Sequence, residues 1–127
     1  MNDEYKLTLI GCFTIAAFDG LSSIASRSFN FNYSLLVAVS FMIYAVFGYL
    51  IARVTNIRKG ILCSATLGLF DASAGWKIAI LLKANTGDIV SNTPDIGKWV
   101  FTAIFVMVLA ALAVLIGGSL SLLTKNR

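Results

Sequence analysis

Polar residues interrupt this chain in few places, and between them run four long apolar stretches, residues 7–26, 34–54, 60–82 and 99–123. Each is close to the roughly 20 residues that an α-helix, rising about 1.5 Å per residue, needs to cross about 30 Å of hydrocarbon. None alternates apolar with polar residues as a barrel strand must, and lipid tolerates only backbones whose hydrogen bonds close internally. The pattern predicts an all-α integral membrane protein of four transmembrane helices, one domain spanning residues 1–127.

Composition agrees. At 58% hydrophobic and 13% charged residues, with a mean hydropathy of +0.87, a chain of 127 residues cannot clothe itself in a water-soluble surface. The first residues, Met1-Asn2-Asp3-Glu4, are acidic, and the first apolar stretch contains Asp19, so it is expected to remain as a helix and not to act as a signal peptide. Lys6, Arg53, Arg58, Lys59, Lys125 and Arg127 fall at one set of helix ends, against Arg27, Lys83 and Lys98 at the other. That excess predicts a multi-pass protein of the cell membrane with both termini cytoplasmic. Tyr33, Tyr49, Trp76 and Trp99 sit near span ends, where interfacial rings prefer to be.

The net charge of +4 is scattered over helix ends and not gathered into a stripe, so nucleic acid is not an expected partner. With no histidine, haem, histidine-bound zinc and histidine-based nucleophile chemistry are not expected, and neither a cofactor nor a metal is called for. Cys12 and Cys63 form no CxxC motif and read as small buried hydrophobes.

A shift of 52 residues lays 12–19 (CFTIAAFD) over 64–71 (SATLGLFD), with Thr14 on Thr66, Phe18 on Phe70 and Asp19 on Asp71. This predicts two related helical hairpins, about 7–54 and 60–123. Because each unit holds two helices, the copies insert with the same polarity, as parallel repeats about an axis along the membrane normal.

Asp19 and Asp71 both fall between the middle and the outer half of the apolar layer, too deep for so short a side chain to reach water. Insertion of one such aspartate costs about 2.5–3.5 kcal/mol at a helix centre, which the many Leu, Ile, Val and Phe of each span can offset. Both should face inward. Helical spacing puts Gly11, Cys12, Ala16, Ser22, Ser23 and Ser26 on the face of Asp19, and Gly60, Ser64, Gly68, Ala74 and Gly75 on that of Asp71. Helix 2 contributes Ser40, Tyr44 and Gly48, and the last helix Ala113, Gly117 and Ser121. Small-residue faces allow close backbone approach, so they should form the bundle centre. Asp19 and Asp71 are thus the candidate proton- or ion-binding groups, with Ser22, Ser23, Ser40, Tyr44 and Ser64 as their supporting polar face. Lys77 is the candidate charge partner, through Asp19, although it lies off the face of Asp71 and, like Arg27, is expected to snorkel outward.

Gly68-Leu69-Phe70-Asp71 resembles the G-x-hydrophobic-D motif of intramembrane aspartyl proteases, prepilin peptidases among them, and Phe18-Asp19 would supply the partner that such a dyad implies. The resemblance covers four residues. Those families have more helices; their presenilin-like branch sets the pair on antiparallel helices beside a Pro-Ala-Leu motif, whereas here the only proline is Pro94, in a loop. No enzymatic activity is expected.

Two functions remain. Paired intramembrane carboxylates suit a proton- or cation-linked transporter or channel, which with four helices per chain would work as an oligomer. The alternative is a non-catalytic assembly or accessory subunit in which the aspartates are hydrogen-bonding groups between helices. The expected partners are the lipid bilayer and either further copies or another membrane protein. Asn32-Tyr33-Ser34 matches a glycosylation acceptor but falls at a helix start, and Asp88 and Asp95 of the outer loop are expected to be solvated carboxylates.

Overall fold

The computed structural model describes residues 2–85 and 96–125, so the outer-loop residues Asp88, Pro94 and Asp95 lie outside the described residues. Among the described residues the chain is helical throughout and contains no strand: α1 (Asp3–Phe29), a 3-10 turn (Tyr33–Leu36), α2 (Val37–Val54), α3 (Ile57–Phe70), a π segment (Asp71–Gly75), α4 (Trp76–Leu81) and α5 (Ile96–Lys125). Three stretches, Asp3–Phe29, Tyr33–Val54 and Trp99–Thr124, are each long and apolar enough to cross a membrane. α3, the π segment and α4 follow one another without a break, so residues 57–81 form one further rod over most of the expected 60–82 stretch.

Polarity is distributed inside out. Asp19, Ser22, Ser23, Ser26, Ser64 and Ser121 are buried, while Phe13, Leu21, Leu62, Phe101 and Ile116 stand exposed, Phe13 at 77%. In water that arrangement would leave a large exposed apolar surface; against lipid the same surface is matched.

The connections are short and capped. The Asn56 side chain accepts from the Lys59 backbone N–H at 2.9 Å, capping α3 and closing the turn from α2. At the far end, α1 stops at Asn30, whose left-handed φ of 54° lets the Phe31 N–H turn back to the Ser26 carbonyl. The third rod ends in the same way: Lys83, at φ 53°, is followed by an Ala84 N–H bonded to the Ala79 carbonyl. Asn85 clasps these two ends together. Its N–H donates to Ser26 Oγ (3.1 Å), its side-chain amide to Asn30 Oδ1 (3.0 Å), and its carbonyl accepts from the Tyr33 N–H (2.7 Å). At the opposite end of the bundle Lys59 Nζ pairs with Glu4 at 2.8 Å, and that carboxylate holds the ammonium above its ordinary pKa by hydrogen bond and charge. Joined at both ends in this order, α1 and the third rod run parallel.

Glycines set the packing. Cβ atoms added at Gly60 and Gly68 would lie 3.2 Å from the Gly48 carbonyl and the Val106 carbonyl respectively, and one at Gly117 would lie 2.8 Å from the Ala45 carbonyl. Backbones therefore approach as closely as small-residue interfaces allow. Gly48 beside Val114 and Ala52 beside Gly118 make α2 and α5 parallel, whereas Ile57 beside Gly118 and Gly68 beside Val106 make α3 and α5 antiparallel. α1 and α5 flank the α2–α3 pair, around a core of Ile15, Tyr44, Phe47, Leu67, Ala110 and Ala113.

Candidate functional site

The third rod changes character at Asp71. From there to Gly75 the helix widens to a π turn, with the Trp76 N–H reaching back to the Asp71 carbonyl. Such turns are rare and gather at functional sites, because the wider ring re-aims a side chain that an α-turn would point elsewhere. The segment is Asp-Ala-Ser-Ala-Gly, small enough to lie against α1 without steric cost.

Asp19 meets it from α1. The residue is 1% exposed, one of its carboxylate oxygens, Oδ1, accepts from the Tyr33 hydroxyl at 2.7 Å, and its main-chain carbonyl accepts from Ser23 Oγ at 2.5 Å. Asp71 Oδ2 accepts from the Tyr44 hydroxyl. The remaining oxygens, Asp19 Oδ2 and Asp71 Oδ1, converge over Gly75, where an added Cβ would collide with both. Asp19 Oδ2 is buried and has no hydrogen-bond partner.

No cationic side chain among the described residues forms an ion pair with either carboxylate. Among the described residues the ion pairs are Lys6–Asp3 and Lys59–Glu4, at the other end of the bundle, and Lys77 and Arg27 are both exposed. Two ionised carboxylates converging over one glycine repel strongly, and an orphaned buried oxygen costs further. One proton shared between them, or one small cation, relieves both terms, and the two groups then titrate as a pair.

Of the residues that the sequence singles out, Asp19, Asp71 and Tyr44 come together. Ser22 and Ser23 are buried on α1 beside Asp19, and Ser64 is buried one helix away, its hydroxyl 3.4 Å from the Tyr44 carbonyl. Ser40 is half-buried on the wall of a neighbouring cavity, and Lys77 is exposed and forms no ion pair with either carboxylate. Two members escape sequence reasoning in this role: Tyr33, which reads only as an interfacial aromatic, and Gly75, which reads only as a small residue one turn beyond Asp71. The signal for each is its position, a polar ring tip at the start of a span and a side-chain-free site on the aspartate's own face.

A cavity of about 200 Å³ opens beside the pair, bounded by the 3-10 turn, α2, the π segment and α5, with Asp71 and Tyr44 on its wall. No protein-family model, curated protein or solved structure matches this chain. What the site can do is therefore set by its own groups: two facing carboxylates, two phenol donors, an unfilled oxygen, and a path to Asp71.

Proposed function

We propose that this protein is a four-span membrane transporter or channel that carries a proton or monovalent cation through the Asp19–Asp71 pair. The observation that carries this is Asp19 Oδ2, buried and unpartnered opposite a second carboxylate, with no cationic side chain among the described residues paired to either. Ionisable groups held that way inside an apolar bundle mark proton and ion pathways.

In this reading α3, the π segment and α4 make the remaining span, both termini face the cytoplasm by the weight of basic residues, and the chain sits in the cell membrane. The two hairpins are copies. Supporting this, Thr14 and Thr66 each bond the carbonyl four residues back, and both aspartate-bearing rods end in the same left-handed cap. That cap, at Asn30, comes eleven residues after Asp19, and at Lys83 it comes twelve after Asp71. The π turn accommodates the one residue of difference. Since four helices scarcely enclose a continuous path, the working form is an oligomer.

The phenol bonds favour a second reading. Tyr33 and Tyr44 both tether a carboxylate to the chain of the second span, as interhelical fasteners of an accessory subunit would. Flux in proteoliposomes under pH and cation gradients separates the two. Wild type should conduct, and Asp19→Asn and Asp71→Asn, each verified as inserted and helical, should lose at least ten-fold. Absence of flux in wild type, together with loss of thermal stability in both variants, would overturn transport in favour of the fastener.

A further inference from the structure

The cavity beside Asp71 has a chemistry that the proton pathway leaves unused. Its walls are mostly apolar and strongly aromatic: Tyr33, Phe41, Tyr44, Trp76 and Phe105 border a volume of about 200 Å³, and among the described residues Asp71 is the only charged side chain on its wall. The exposed cations of the vicinity, Lys77 and Arg27, are not part of it.

We propose that this cavity binds a small organic monocation, an alkyl- or arylammonium, with its nitrogen toward Asp71 and its carbon body against the aromatic rings. This rests on Asp71 being a cation-binding carboxylate and names the class of molecule it takes. Charge decides the sign, since an anion would meet a carboxylate with no compensating positive charge among the described residues of the wall. An inorganic ion is disfavoured by the wall, because a hard cation replaces its water with six or more oxygens and these walls are largely carbon. An ammonium that carries its own apolar surface gains from both parts: Coulomb attraction at Asp71, and the negative faces of the rings, which bind such cations within about 6 Å. Volume sets the size. At about 30 Å³ per water the cavity holds the equivalent of roughly seven waters, below the range of drug-sized pockets and suited to about seven to ten non-hydrogen atoms.

The same ammonium chemistry occurs in solution and on a choline headgroup. Both sources can be separated with the full chain in nanodiscs. Trp99→Phe leaves Trp76, on the cavity wall, as the only tryptophan, and its fluorescence reports occupancy. Tetraethylammonium chloride, titrated against sodium chloride at matched ionic strength in phosphatidylglycerol discs, should give a saturable change. Asp71→Asn should weaken it at least ten-fold, and Phe41→Leu, which keeps bulk and loses the ring, about five-fold. Sodium benzenesulfonate should give no saturable change.

Repeating the titration in phosphatidylcholine discs identifies the source. An unchanged curve assigns the site to free ammonium ions, and suppression of the curve assigns it to the lipid headgroup; either supports an ammonium site. Lack of saturation in phosphatidylglycerol, equal binding by both the Asp71→Asn and Phe41→Leu variants, or equal response to benzenesulfonate overturns it. Proton flux measured without any organic cation keeps the two proposals apart: flux without tetraethylammonium binding sinks only the ammonium site, and binding without flux sinks only transport.

Discussion

Gly75 has no side chain where any side chain would strike two carboxylates at once. An alanine at a helical glycine ordinarily gains up to about 1 kcal/mol from backbone entropy, whereas forcing a methyl into a filled core costs about 1–3 kcal/mol. At Gly75 the second effect wins, because the atoms displaced, Asp19 Oδ2 and Asp71 Oδ1, belong to carboxylates whose other oxygens are fixed by Tyr33 and Tyr44. Gly20, one residue after Asp19, is the internal comparison: its added Cβ would find only Leu82 Cδ1, at an ordinary 3.9 Å. Thermal unfolding in detergent should therefore show Gly75→Ala destabilised and Gly20→Ala equal to or more stable than wild type. Equal midpoints for the two variants would mean that the carboxylates do not occupy the space over Gly75. At this scale the sequence was legible up to a point. Spacing from Asp19 finds the buried Ser22, Ser23 and Ser26, but which phenol serves which carboxylate depends on how three helices dock.

Along whole helices the hydropathy pattern reads more completely. The expected 7–26 and 99–123 lie within Asp3–Phe29 and Ile96–Lys125, which run on by a turn or less because polar residues at their ends still extend a helix once outside hydrocarbon. The 34–54 stretch divides into the 3-10 turn and α2. The π segment was not legible, since it differs from an α-helix by where each N–H finds its carbonyl, and no apolar spacing over five small residues announces that change. Helix contacts do follow from the small-residue faces, and two adjacent glycines make the point testable. An alanine Cβ at Gly117 would meet the Ala45 backbone oxygen at 2.8 Å, which cannot yield unless α5 moves off α2; one at Gly118 would meet the tip of Ile57 at 2.9 Å, which can swing aside. Gly117→Ala should lose about 1–3 kcal/mol of stability and Gly118→Ala clearly less, as read from unfolding midpoints. The reverse order would sink the assigned α2–α5 contact.

For the molecule as a whole, the polar interior and apolar exterior favour a bundle that lies across the bilayer, and its handedness in the membrane can be measured directly. With Cys12 and Cys63 replaced by serine, single cysteines at Asn2, Ser28 and Thr124 sample the two ends of the bundle, Ser28 near the Asn85 clasp and the others far from it. A membrane-impermeant maleimide applied to intact cells should label Ser28→Cys alone, and Asn2→Cys and Thr124→Cys only after the membrane is opened. Labelling of all three from outside would remove the four-span arrangement. Nothing in the sequence fixes how many copies assemble, because that depends on outward faces that lipid and protein cover equally well.

The tyrosine bonds also differ in the order of donor and acceptor along the chain. Asp19 finds its phenol only 14 residues later, at the entrance to the next helix, so the first hairpin carries a donor for one of its two carboxylate oxygens as soon as it is made. Asp71 is synthesised 27 residues after Tyr44, so its own donor precedes it in the chain. Each carboxylate thus has a donor for one oxygen within its own helix pair or an earlier one, whereas the meeting of the two acids over Gly75 requires α1 and the third rod to dock.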